Sequence, residues 1–256
     1  MISGMYILPF EYLQWVLLKR VRRPELLKGL GGSSFTVKSK EGRPTLTYGI
    51  IIVSVIVMLH ATIFPAVSSL LYDEYALRPS YFTHGMRVIS VVTYMFIHAD
   101  WVHLILNCFA LWGVGTIMER EVGPGRFGVV FFASGVASGL IHVVLNPGST
   151  EAIVGASGAV FGALATLFLL SPFKRTSLFV VPLPTLLIGV LMASIELASV
   201  AWAGGAIVAS DVQIVGFVTG AALSFWIDVK RAIKGLAIGA GVVIILYLFG
   251  MFFGVI

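Results

Sequence analysis

An all-α polytopic membrane protein is the fold class this sequence predicts, and three observations predict it. Of 256 residues, 58% are hydrophobic and only 11% are charged. Mean hydropathy is +1.00. Apolar runs close to the ~20 residues that cross a bilayer recur along the chain. A soluble domain of this size needs more polar surface than this composition supplies. The single cysteine, Cys108, lies in an apolar run, cannot form an internal disulfide and says nothing about redox compartment.

Residues 1–45 are the polar part of the chain, with a basic cluster of Lys19, Arg20, Arg22, Arg23, Lys28, Lys38, Lys40 and Arg43. Residues 1–10 are apolar but short and carry no leading basic region, so they do not read as a cleavable signal peptide. Residues 10–18 with their basic flank suit either an amphipathic helix on the membrane surface or a docked subdomain. In both cases Lys and Arg are drawn to anionic headgroups. No nucleic-acid-binding fold surrounds these charges, so the expected partner is the lipid bilayer and not a nucleic acid.

The first spanning helix is expected over 46–72, kinked or ended by Pro65. A long loop, 73–97, carries Pro79, Tyr81 and Phe82 and lies partly in the membrane interface, with Trp101 just beyond it. The second helix covers 100–118, and a short turn, 119–126, follows with Gly123, Pro124 and Gly125. The third helix runs to 145, and the loop 146–154 leads to a fourth that starts near Ser157 and stops before Ser171-Pro172. The fifth, sixth and seventh are expected over 179–202, 212–227 and 235–256. Seven helices with the N-terminus inside put Arg120, Arg126, Lys174, Arg175, Lys230, Arg231 and Lys234 on the inner side, leaving only Arg78 and Arg87 outside. The expectation is an integral protein of a prokaryotic cell membrane, with Ser157 just below the external surface.

Polar residues placed in such helices are costly and point to function. Gly155-Ala156-Ser157-Gly158-Ala159-Val160-Phe161-Gly162 sets a serine between glycines at a helix start. Free N–H groups there stabilise negative charge, which suits a hydroxyl nucleophile and the oxyanion it creates. Helix packing alone would also place Gly158 and Gly162 four apart. His103 and Asn107 share one face of the second helix, with His98 before it. An imidazole and an amide side by side can donate to an oxyanion, although interhelical hydrogen bonding uses the same residues.

Together these pieces resemble the rhomboid family. His98-Ala-Asp-Trp-Val-His103-Leu-Ile-Leu-Asn107 is similar to its histidine pair followed by asparagine. Glu119-Arg-Glu-Val-Gly123 resembles its acidic turn, and Gly155-Ala156-Ser157-Gly158 its nucleophile motif. Gly216-Phe-Val-Thr-Gly220 resembles the glycine pair of its sixth helix, closed by Asp228. The resemblance implies a six-helix rhomboid-like core over 46–228, preceded by the basic segment 1–45 and followed by a basic turn and a seventh transmembrane helix over 229–256. It implies an intramembrane serine endopeptidase scaffold that acts on transmembrane segments of other proteins, with no cofactor and no metal. Ser157 would be the nucleophile, and His103, Asn107 and the Ser157 N–H would form the oxyanion hole. His98, Gly155, Gly158, Gly216 and Gly220 would support the site. The fifth helix and the loop after it would gate substrate access.

One position departs from the pattern. The family's general base is a histidine three residues before Gly216, and this chain has Gln213 there. None of the five histidines, His60, His84, His98, His103 and His142, lies in the sixth helix. A serine attacks only if something takes its proton, and a glutamine amide does not hold one near neutral pH. Loss of the base costs about 10⁴–10⁶ in turnover. Asp211 is expected in the preceding loop, and His142, on the third helix, is expected to have a packing or hydrogen-bonding role. Three readings follow: a pseudoprotease that binds membrane segments without cutting, a protease inactivated by the glutamine, or a protease with an atypical base. Glu196, in the fifth helix, would suit a proton-coupled transporter, but that class predicts further intramembrane acids or an inverted repeat, and the sequence holds neither.

Overall fold

The computed structural model describes residues 42–84, 87–177, 182–202 and 210–252. All lie in the unit Lys40–Ile256. The basic cluster up to Lys40 and the loop 203–209 are outside the described residues, as is the side chain of Glu196.

Helix α1, Thr45–Ile63, ends where Phe64 precedes Pro65, and Pro65 opens the short α2, Pro65–Leu70. The first expected span therefore stops nine residues early, because Pro65 cannot continue the hydrogen-bond ladder of α1. The start of α1 has no cap of its own. Its orphan N–H groups are met by Glu119, whose carboxylate accepts from Leu46 N at 3.0 Å, Thr47 N at 2.8 Å and Thr47 Oγ1 at 2.8 Å. A buried anion is tolerable there because three donors and the positive end of a helix surround it.

The long loop is not irregular. A π-turn, Leu71–Tyr75, leads to α3, Pro79–Thr83, then α4, Ser90–Thr93, and a 3₁₀ turn, Tyr94–Phe96. Arg87, at φ +57°, holds Glu74 through two bonds of 2.9 and 2.7 Å and lies over the Tyr81 ring. Helix α5, Trp101–Val122, is capped by Asp100, which accepts from His103 N at 2.8 Å. The expected turn 119–126 shrinks to Gly123 alone, whose φ of +87° lets α6, Pro124–Leu145, start at once.

Helix α7, Ser157–Leu170, is the buried centre: eleven of its fourteen residues are buried. At about 1.5 Å per residue it is roughly 21 Å long, shorter than the ~30 Å hydrocarbon core. A two-stranded hairpin follows, β1 Arg175–Ser177 paired antiparallel with β2 Pro182–Pro184. The fifth span was expected from 179; β2 occupies Pro182–Pro184 and helix α8 is Thr185–Trp202. Helix α9 is Ser210–Ile227 and α10 is Val229–Phe252. The seventh span thus begins six residues before the expected 235, since Asp228 caps it by accepting from Arg231 N at 3.0 Å. Among the described residues four helices are long and apolar enough to cross a bilayer, α1, α5, α6 and Val229–Phe249 of α10, and Ser157–Leu170 and Asp211–Ile227 are shorter apolar helices. The protein is an all-α integral membrane protein.

Candidate active site

The site starts from one backbone choice. Gly155 has φ +105°, a conformation that side-chain-bearing residues rarely adopt. It also has no room for a side chain: a Cβ there would lie 2.8 Å from both Cε1 and Nε2 of His103 and 3.9 Å from Asn107 Nδ2. Gly155 N donates to Tyr94 O at 2.9 Å, and Tyr94 OH donates to Gly135 O at 2.7 Å. The loop before α7 is thereby pinned to the core, with the His103 ring against its backbone. Ser157, half-buried, is the first residue of α7, next to the Ala156 N-cap. Asn107 is buried and its Nδ2 donates to His103 O at 3.0 Å. The structure so brings His103, Asn107 and the Gly155–Ser157 turn together.

His98 stands behind this pair. Its ring meets the His103 ring edge-on at 5.2 Å, and its carbonyl accepts from Tyr72 OH at 2.8 Å. It precedes α5, outside the spans. Burial and the adjacent His103 push its pKa down to about 4, against a weaker pull from the Phe96 backbone.

The opposite wall is α9, and glycines set its register. A Cβ on Gly216 would run into the carbonyl of Gly158, and one on Gly220 into that of Gly162. A Cβ on Gly158 would lie 3.0 Å from Val212 Cγ1. Thr166 Oγ1 locks the pair by donating to Gly220 O at 2.8 Å and to Gly162 O at 3.0 Å. Val212 and Gly216 bracket Gly158, so Gln213 lies on the turn of α9 that packs against the residue after Ser157. Gln213 is half-buried.

Asp211 corrects the sequence reading. It is not in a loop but in the first turn of α9, and it is buried. His142 Nδ1 donates to its Oδ2 at 2.7 Å, and Asn146 Nδ2 reaches the same oxygen at 3.3 Å. Ser138 Oγ donates to Val212 O at 2.7 Å. The α6 face thus ties down the start of α9. The signal in the sequence was the spacing of Ser138, His142 and Asn146, four apart on one helix face. His142 Nε2 is buried without a hydrogen-bond partner among the described residues, so His142 is not seated on the Ser157 hydroxyl. No group of three or more His, Cys, Asp or Glu among the described residues could hold a metal ion.

Fold and site together define a polytopic membrane protein with a glycine-framed serine at the start of a short internal helix, and an imidazole and a carboxamide near the glycine two residues before it. The Rhomboid domain matches residues 85–231, more than half of the chain, and the chain belongs to the rhomboid family. It is similar to Rhomboid protease GluP of Bacillus subtilis (strain 168), 36% identical over 85 residues, which are 33% of this chain and 16% of that protein. It is also similar to the mitochondrial Rhomboid protein 1 of Saccharomyces cerevisiae, 36% identical over 118 residues, 44% of this chain and 33% of that one. Inactive RHOMBOID-like protein 8 of Arabidopsis thaliana is 32% identical over 88 residues, 32% of this chain and 25% of that one. The matched parts cover from about one sixth to one third of these relatives.

Proposed function

We propose that the chain is a rhomboid-type intramembrane serine endopeptidase scaffold that receives transmembrane segments of other proteins and, with Gln213 at the base position, binds them without cleaving at protease rates. The observation that carries this reading is the His103 ring packed against the Gly155 backbone, two residues before Ser157. Ser157 takes the nucleophile's place, at the positive end of α7. His103 and Asn107 take the places of the oxyanion donors, with the Ser157 N–H as a third. His98 positions His103 from behind. Gly155 gives the turn its shape, and Gly158, Gly216 and Gly220 let α9 approach α7. Gln213 can accept or donate one hydrogen bond but cannot carry the proton from Ser157 to a leaving amine, so acylation stalls.

The basic residues at the ends of α5, α7 and α10 support an orientation with that end cytoplasmic and Ser157 opening outward. The same reading takes 1–45 as a basic cytoplasmic or interfacial segment, 46–228 as the six-helix core, and 229–256 as an added helix. The test is capture of transmembrane peptides by detergent-solubilised protein. The intact chain retains a helix-destabilised transmembrane peptide over a stable polyleucine control, and Ser157→Ala retains it equally. Equal retention of both peptides, or loss of capture in Ser157→Ala, contradicts the reading.

A further inference from the structure

The basic end of the bundle holds a cleft that the proposed site does not use. Helix α7 stops at Leu170, and the chain turns at Ser171 and Pro172 into the hairpin. Helix α10 passes very close to α7. A Cβ on Gly235 would run into the Leu169 carbonyl, and one on Gly239 would lie 2.6 Å from Phe168 Cζ. Beside this crossing is a cleft of about 220 Å³, with Leu170, Pro172, Phe173 and Ile238 as its apolar wall and Arg231 and Lys234 as its cations.

The two cations are not equivalent. Arg231 is committed to the protein: Nε donates to Leu170 O at 2.9 Å, and Nη2 to Ser171 Oγ at 2.8 Å and Glu121 Oε2 at 3.2 Å. Lys174 also pairs with Glu121, so that carboxylate already has two cations. Lys234 is exposed and has no acidic partner among the described residues. A cation at a membrane boundary, next to an apolar wall and lacking a counter-charge, suits an amphiphilic anion. Phe173, 69% exposed, and the exposed Ile233 and Leu236 of α10 extend the apolar surface away from the cleft.

We propose that this cleft binds the headgroup of an anionic phospholipid, its phosphate on Lys234 and the outer edge of Arg231, its acyl chains along Phe173, Ile238 and the outer face of α10. The volume suits a headgroup; the chains lie in the bilayer. The bound lipid bridges the end of α7 to α10 and so fastens the added helix to the core. It does so whether or not the protein cleaves anything.

The experiment uses the full chain in detergent, with native mass spectrometry during titration by phosphatidylglycerol or by phosphatidylcholine of matched chains. Phosphatidylglycerol is retained preferentially. Lys234→Ala weakens that retention about fivefold, the effect of one lysine near an anionic surface. Ile238→Trp, which fills the cleft and leaves the charge, weakens it as well, while Lys230→Ala, an exposed neighbour outside the cleft, leaves it within twofold. Millimolar inorganic phosphate does not displace the lipid. Equal retention of the two lipids overturns the proposal, as does a Lys230→Ala loss that matches Lys234→Ala. Displacement by phosphate would make the cleft a free-anion site and overturn it too. Thermal melts confirm that each variant is folded, and Lys234→Glu repeats the charge test if Ile238→Trp is not.

Discussion

The two walls beside Ser157 are packed to the same standard but equipped differently. On the α5–α7 wall, packing and chemistry coincide: the contact that positions His103 is the contact that requires Gly155. On the α9 wall, packing is as tight, with Gly216 and Gly220 on the α7 backbone and Asp211 bonded to His142, yet the residue between Val212 and Gly216 that the base position falls on is an amide, Gln213. Close helix packing preserves geometry and is indifferent to whether one side chain is an imidazole or a carboxamide. On the proposed reading a scaffold keeps the shape of a protease without a proton acceptor, and shape and turnover can be tested apart.

The largest effects should come from disturbing the complete wall once a base is supplied. In a Gln213→His background, His103→Ala and Asn107→Ala should each lower cleavage of a transmembrane substrate by about 10²–10³, the usual cost of an oxyanion donor. Loss of less than fivefold for both would move the oxyanion elsewhere. Next comes the packing of the second wall. Gly216→Leu and Gly220→Leu would force side chains into the backbone of α7, costing about 3 kcal/mol or more and lowering the detergent melting temperature by several degrees. Gly49→Ala in α1, where nothing lies within 4 Å, should be neutral or slightly stabilising. Equal behaviour of the three would show that the glycine register does not hold α9 against α7.

A smaller effect separates the first wall's support from its chemistry. Because His98 is pushed down to about 4, the folded state holds its proton less tightly than the unfolded chain. Its contribution is complete above about pH 6.5 and is lost as pH falls toward 4, on the order of 2 kcal/mol by pH 4.5. Melting temperature should fall between pH 7 and 4.5, and less steeply in His98→Gln. Parallel slopes in the two proteins would remove His98 from that role.

The apolar runs made the spanning helices legible, because spans of this length have few other readings. Small residues spaced by four in α7 and α9 likewise announced a close helix pair. What stayed hidden was polar pairing. Asp211 looked like a loop residue because nothing local shows that His142, sixty-nine residues away, accepts it as a partner. Glu119 looked like part of a turn, yet it is 3% exposed and caps α1 from another helix. The start of α10 looked like a polar turn because Lys230, Arg231 and Lys234 crowd it, but Asp228 caps it and Arg231 lies back on Glu121 and Leu170 O. The hairpin after α7 has strands of only three residues, too short for any period to register.

Restoring a base tests the central claim most directly: cleavage of a helix-destabilised transmembrane substrate in proteoliposomes by the intact chain, by Gln213→His, and by Gln213→His with Ser157→Ala. The account predicts little or no cleavage by the intact chain, a gain of about 10³-fold or more with the histidine, and its disappearance without the serine. Cleavage by the intact chain at the rate of the histidine variant, or a Gln213→His protein that folds, neither cleaves nor labels at Ser157 with a fluorophosphonate, would contradict it.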